Sequence, residues 1–305
     1  MRHAIAIDIG GTKTLGALFD EEAHILCEKR IATDPKMGPD HLMSSICQII
    51  EELSSLENID CIAVASAGRI NTIDGSVFYA SDNIPGWNRV KIKSILEGKY
   101  KLPVFVENDC KAAGLGEEWQ GSAKGRTSYL MIVIGTGIGA AVKADGTLLH
   151  GAHWSAGEIG HMTLYPNGRK CNCGMKGCFE QYCSGPALVH RYNELTENNY
   201  IHSGYELFER FEKGDKVSKR VVDEFTTDMS VAVSSLCNIY DPEITIIGGG
   251  LSEASRYWWS DFAEKVNSSG IRNQFNPAIT TAKLGNKAGI YGAAYLGFQS
   301  IRNHC

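Results

Sequence analysis

Residues 4–20 read AIAIDIGGTKTLGALFD. The run 4–9 is apolar and rich in β-branched residues, which suits a buried strand. Gly10-Gly11-Thr12-Lys13 forms a tight turn, and 14–20 returns as a second strand, so the chain opens on a hairpin. After a polar turn at Glu21-Glu22, HILCEKRIAT at 24–33 predicts a third strand. The theme recurs at 129–146, YLMIVIGTGIGAAVKADG: apolar strand, Gly-rich turn, second strand, then Asp145-Gly146 as a further hairpin turn.

Between these echoes, Leu42, Ile46, Ile49, Ile50 and Leu53 recur at helical spacing. CIAVASAG at 61–68 reads as a buried strand and 91–100 as a helix. LPVFVEND at 102–109 is a strand leading into a helix over 110–119. Val221, Phe225, Met229, Ala232, Val233, Leu236 and Ile239 form one apolar helical stripe. DPEITIIGGG at 241–250 is a strand ending in three glycines, and 288–300 is a helix rich in small residues. Hairpins beside helices, repeated in two halves, imply two α/β domains with a cleft between them. The polar segment GSAKGRTS at 121–128 marks the expected boundary.

The 305 residues suffice for two cores, and 43% hydrophobic with 21% charged residues is an ordinary globular balance. A net charge of -5 argues against a nucleic-acid surface, and no apolar run approaches the ~20 residues of a membrane span. The N-terminus enters its first strand without a signal-like region, so a cytoplasmic protein is expected. In that compartment the cysteines outside the segment described next read as core residues or free thiols.

Residues 157–180, GEIGHMTLYPNGRKCNCGMKGCFE, place His161, Cys171, Cys173 and Cys178 within eighteen residues. Three thiolates and one imidazole match the tetrahedral N/S preference of Zn²⁺, and four protein ligands leave no open position for catalysis. A structural Zn²⁺ is therefore expected, fixing Glu158 and Glu180 at either end of a polar binding surface. The alternative is a loop of reduced thiols.

The turn 8–14, DIGGTKT, lacks the spacing of a P-loop and enters a strand rather than a helix. Its backbone N–H groups still suit phosphate oxygens, with Thr12 adding a hydroxyl, Lys13 a cation and Asp8 a carboxylate able to face Mg²⁺ through water. Gly135, Thr136, Gly137 and Gly139 offer the same chemistry from the second half. Gly248, Gly249 and Gly250 would let a nucleotide lie against bare backbone. GTGIG is half of a dinucleotide fingerprint without its following helix, which argues against NAD.

Together these segments resemble the ROK family (repressor, open reading frame, kinase), whose kinases are ATP-dependent sugar kinases. The resemblance spans essentially the whole chain. It rests on DIGGTK at 8–13, SDNIPGW at 81–87, VENDCKAA at 106–113, IGTGIG at 134–139, GEIGH with CNCGMKGCFE, and DPEITIIGGG. It implies a two-lobed ribonuclease-H-like, actin-like ATPase fold. Residues 1–120 would form the N-terminal lobe, completed by a helix at about 289–305, and 121–288 the C-terminal lobe with the zinc loop. It further implies ATP, Mg²⁺ and structural Zn²⁺, and it admits a homodimer. Asp109 would be the catalytic base. Asn83, Asn108, Glu158, His161 and Glu180 would hydrogen-bond sugar hydroxyls, His161 also binding zinc, with Gly68 close by. The family's repressors carry an N-terminal winged helix-turn-helix; this sequence begins at the first strand, which favours a kinase. Cys110-Lys111 and Lys287 depart from the family pattern, where small or Asn residues and an acidic residue are usual.

The expected reaction is transfer of the ATP γ-phosphoryl group to the 6-hydroxyl of a hexose or N-acetylhexosamine, with N-acetylmannosamine and glucose foremost and a β-glucoside or fructose as alternatives. A sugar-sensing regulator without turnover and an actin-like scaffold ATPase are the competing classes. Asp109 also reads as a helix N-cap, and Trp87 as a core residue rather than a sugar platform.

Overall fold

A computed structural model describes residues 1–10, 13–80, 84–268 and 278–303. Gly11, Thr12 and Asn83 of the expected site lie outside the described residues. In chain order the elements are β1 (His3–Ile9), β2 (Lys13–Asp20), β3 (Ile25–Ala32), α1 (Pro39–Ser54), β4 (Cys61–Ser66), β5 (Arg69–Asn71), β6 (Ser76–Tyr79), α2 (Ile92–Tyr100), β7 (Val104–Asn108) and α3 (Asp109–Gln120). They continue as β8 (Tyr129–Ile134), β9 (Ile138–Ala144), β10 (Thr147–Leu148), α4 (Glu180–Cys183), α5 (Gly185–Glu194), α6 (Gly204–Glu212), α7 (Lys216–Tyr240), β11 (Ile244–Gly248), α8 (Trp259–Ser268), β12 (Ala278–Thr281) and α9 (Ala288–Asn303).

Two compact units result. The first holds Met1–Gly125, Leu149–Ala156 and the chain from Lys287 on; the second holds Arg126–Leu148 and Gly157–Asn286. Segment Leu149–Ala156 thus belongs to the first unit, whereas a division at 120 leaves it in the second.

Each unit is built on a five-stranded sheet of the same plan. The first runs β3-β2-β1-β4-β7 and the second β10-β9-β8-β11-β12. In both, the first three strands are antiparallel and the next two join in parallel. The sequence echo is therefore an architectural duplication.

In the first unit, the alternation of β1 assigns its two faces. Ile5, Ile7 and Ile9 pack with Leu42, Ile46 and Ile49 of α1. Ala4 and Ala6 join Ala17, Ala63 and Ala65 against Ile290, Ala293 and Ala294 of α9. That small-residue face lets helices come close. A Cβ on Gly292 would stand 1.6 Å from the carbonyl oxygen of Ala112 in α3, so a methyl there would force the two helices apart.

In the second unit, α7 buries Val221, Phe225, Met229, Ala232, Val233 and Leu236, and Asp215 caps it by accepting from the Ser218 N–H at 2.7 Å. Ile239, expected on the same stripe, is exposed; it sits in the final turn, just before the left-handed Asp241. Among the described residues no helix is long and apolar enough to cross a membrane.

Candidate functional site

In the first unit, Asp8, Ala65 and Glu107 lie level on the neighbouring parallel strands β1, β4 and β7. Residues just beyond their carboxyl ends therefore gather at one edge of the sheet, where open α/β sheets place ligands. At the end of β7 the chain turns directly into α3. The cap is Asn108: its Oδ1 accepts from the Lys111 N–H at 3.1 Å. This corrects the N-cap reading of Asp109, which is the first helical residue. The Asn108 amide nitrogen donates to the Gly68 carbonyl at 2.9 Å and to Asp109 Oδ1 at 2.8 Å, and the Cys110 N–H donates to the same oxygen at 2.8 Å. Gly68, Asn108 and Asp109 are thus brought together, with the Asp109 carboxylate aimed by its neighbours. Trp87 is fully buried and its Nε1–H donates to Ser66 Oγ at 3.1 Å, so it is a core residue.

Asp8 is pushed up from its ordinary 3.8 to about 7, first by burial and then by the charge of Asp109, with Lys13 opposing. A carboxylate whose proton affinity is raised by a neighbouring carboxylate suits a divalent cation. The Gly10 N–H donates to the Lys13 carbonyl at 3.0 Å, closing the hairpin turn. Lys13 itself is exposed at the start of β2.

In the second unit, Gly135, Thr136 and Gly137 form the turn between β8 and β9, closed by Gly135 N–H to Gly137 C=O at 2.9 Å. Gly139 lies inside β9, paired with Val133. The Gly185 N–H, at the start of α5, donates to the Gly135 carbonyl at 2.9 Å, bringing a helix N-terminus to the turn. Such a terminus favours phosphate. A cavity of about 1080 Å³ is lined by Gly135, Thr136, Gly185 and Gly250, and also by Phe208 and Tyr257, which stack with centroids 5.0 Å apart. Gly250 lines this cavity, whereas Gly248 closes β11 against Met131 and Gly249 backs onto the Ile134 backbone.

The GEIGH stretch is held against β9. A Cβ on Gly157 would stand 2.3 Å from the Ala140 carbonyl oxygen, and one on Gly160 would stand 2.2 Å from that of Ile138. Both positions are glycine because backbone lies against backbone. His161 and the three cysteines converge: their ligand atoms all lie within 4.8 Å of one another. Cys171 Sγ is 3.7 Å from His161 Nδ1, and Cys173 Sγ is 3.6 Å from Cys178 Sγ. The backbone closes this knot too, through Cys171 N–H to Met175 C=O at 2.9 Å and Gly177 N–H to Arg169 C=O at 2.7 Å. Three sulfurs and one ring nitrogen at these separations fit a tetrahedral ion. Burial pushes the Cys171 thiol up to about 12, and it donates to Glu180 Oε1 at 3.2 Å.

Glu180 joins the knot to the Gly-rich turn. Its Oε1 lies 3.6 Å from His161 Nδ1, and a Cβ on Gly137 would stand 3.0 Å from its Oε2. Glu158 Oε2 lies 3.9 Å from the other ring nitrogen of His161. A second cavity, about 570 Å³, is lined by Tyr165, Arg169 and Tyr182 and by Arg191, which is held by Glu224 at 2.6 Å and 3.0 Å.

Sequence reasoning missed the helical walls of the larger cavity in α5 and α6. It also missed a side-chain hydrogen bond to a buried carboxylate: His150 Nε2 lies 2.7 Å from Glu107 Oε2. A carboxylate inside the apolar strand LPVFVEND was the available signal, since a buried charge requires a partner.

Residues 4–300 match the ROK family. The chain is 32% identical over 304 residues to a glucokinase of Thermotoga maritima, covering 95% of each chain. It is 27% identical over 303 residues to an N-acetyl-D-glucosamine kinase of Citrobacter koseri, covering 95% of this chain and 97% of that one. The crystal structure of a ROK family glucokinase from Streptomyces griseus, in complex with glucose and AMPPNP, matches with a TM-score of 0.84 at 30% identity, over 97% of this chain and 99% of that one. The chain belongs to the ROK family and has its ribonuclease-H-like, actin-like ATPase fold.

Proposed function

We propose that this chain is an ATP-dependent sugar kinase that phosphorylates the 6-hydroxyl of a hexose or N-acetylhexosamine, with glucose and N-acetylmannosamine as the first acceptors to test. The observation that carries the reading is Glu180: one carboxylate touches both the metal-type knot and the Gly-rich turn that opens the large cavity. A group suited to sugar hydroxyls therefore stands beside a turn suited to phosphates. The named activities of the relatives, glucokinase and N-acetyl-D-glucosamine kinase, agree in reaction and differ in sugar.

Asp109 is the base in this reading. A primary hydroxyl is a poor nucleophile near neutral pH, and a carboxylate within reach takes its proton as the bond to the γ-phosphorus forms. Asn108 aims that carboxylate and ties it to Gly68. Glu158, His161 and Glu180 hold vicinal hydroxyls. The Gly10–Lys13 and Gly135–Gly137 turns and the α5 N-terminus hold phosphate oxygens, and the stacked Phe208 and Tyr257 of the cavity take the adenine. His161, Cys171, Cys173 and Cys178 would hold a Zn²⁺ that supplies structural cross-linking alone. Asp8 would face Mg²⁺ through water, and that ion would supply charge neutralisation for the triphosphate.

A coupled ADP-release assay over glucose, N-acetylmannosamine, N-acetylglucosamine, fructose and a β-glucoside tests the proposal, with phosphorus NMR locating the phosphate. Sugar-dependent ADP release with a 6-phosphate product is expected. Sugar binding without turnover would indicate a sensor, and sugar-independent hydrolysis a scaffold ATPase; either result refutes the reading.

A further inference from the structure

Segment Leu149–Ala156 forms a strap. The strands before it and the Gly157 that follows it belong to the second unit, yet the strap itself belongs to the first. It closes on itself through Ala156 N–H to His150 C=O at 3.1 Å, and Trp154 packs on Phe78 of β6 with ring centroids 5.0 Å apart. Its deepest contact is His150, whose Nε2–H donates to Glu107 Oε2 at 2.7 Å. Glu107 is 2% exposed, and its other oxygen accepts from the Asn108 N–H at 2.8 Å.

A chain of polar contacts thus runs from the strap to the proposed base. His150 holds one oxygen of Glu107, Glu107 holds the backbone of Asn108, and the Asn108 side chain caps α3 and holds Asp109 Oδ1. A buried carboxylate deprived of its donor turns toward water or another donor. If Glu107 turned, the Asn108 N–H would lose its acceptor at the point where strand becomes helix. The strap then runs through Gly157 directly into Glu158, so the segment that holds the base also leads into the proposed sugar-binding groups.

We propose that His150 is a positioning residue for phosphoryl transfer: acting through Glu107, it fixes the Asn108–Asp109 junction, so the base is correctly aimed only while the strap is docked. The inference rests on the reading of Asp109 as the base. It assigns His150 no contact with substrate.

The test is a set of variants assayed by ADP release with the preferred sugar: His150→Ala, His150→Gln, Asp109→Asn and the double variant His150→Ala/Asp109→Asn. Misplacing a reacting group by a fraction of an ångström is costly, so His150→Ala should lose about 10–100-fold in kcat while KM for ATP stays within about twofold. His150→Gln, which keeps an N–H donor, should recover a substantial part of the loss. In the Asp109→Asn background, removing the imidazole should cost less than about twofold further, because the group it aims is already gone. Thermal melts accompany every variant. The inference is overturned if His150→Ala keeps kcat within about twofold of wild type, or if the full loss recurs in the Asp109→Asn background. It is also overturned if His150→Gln is as impaired as His150→Ala and both losses follow the melting temperature. Full activity in Asp109→Asn alone would instead remove the reading of the base, and this inference with it. Should His150→Ala fail to fold, His150→Gln and Glu107→Gln carry the same comparison.

Discussion

Replacing Asp8 with Asn should stabilise the ligand-free protein, and the gain should grow with pH. Asp8 is half-buried in the first unit, with its carboxyl desolvated beside the charge of Asp109 and held at about 7 instead of the ordinary 3.8. A carboxyl whose proton is retained in the folded state contributes stability that is complete below about 3.8. That contribution declines as the unfolded chain ionises and is gone once pH passes about 7. At ~1.36 kcal/mol per tenfold change in proton affinity, the gap corresponds to ~4 kcal/mol as an upper value. Asparagine carries no charge at any pH and fills nearly the same volume. Titrating groups that do not sense the Asp8 charge are common to both proteins and cancel in the difference; Asp109, which does sense it, is part of the effect measured. The assay is urea unfolding of wild type and Asp8→Asn without nucleotide or Mg²⁺, at intervals from pH 4.5 to 8.5. The variant's lead should be no more than about 1 kcal/mol at pH 4.5 and should grow to about 2–4 kcal/mol above pH 8. A gap that is constant with pH, or that closes as pH rises, would refute the account of Asp8 as a desolvated acid paired with Asp109.

Asp109→Asn should lower kcat by about 10²–10⁴-fold while sparing sugar and nucleotide affinity, measured by ADP release and calorimetry; full activity would sink the base assignment. Cys173→Ser should abolish a stoichiometric zinc content read by elemental analysis and lower stability and sugar binding together. An active, fully stable protein stripped of metal would contradict the structural role of the knot. Gly157→Ala should cost about 2–4 kcal/mol, since its Cβ would meet the Ala140 carbonyl oxygen at 2.3 Å and φ is 93°. A melt unchanged by this substitution would mean that the GEIGH turn is free to move off β9. Tyr257→Ala should weaken nucleotide binding about tenfold with sugar affinity unchanged, because it removes one face of the Phe208–Tyr257 stack. Equal affinity for ATP would place the base elsewhere.

The local patterns carried much of the architecture. Alternation in 4–9 set Ile5, Ile7 and Ile9 against Ala4 and Ala6, and the two faces of β1 meet different helices as that pattern requires. The hairpin echo at 129–146 became a second sheet of the same strand order because strand period and turn chemistry are local properties. The ligand cluster was legible because three cysteines and a histidine within one loop have few other uses.

Other features required the folded chain. Asn108 rather than Asp109 caps α3, a choice made by which side chain reaches the Lys111 N–H once β7 turns. Gly248 and Gly250 stand in one run of glycines, yet one packs in a core and the other lines a cavity. Spacing can fix what neighbours along a strand or turn will do, because those distances are set by bond geometry. It cannot fix that residue 150 returns to residue 107, or that Glu180 lies against Gly137, because such pairs are selected by the packing of whole elements and not by their separation along the chain.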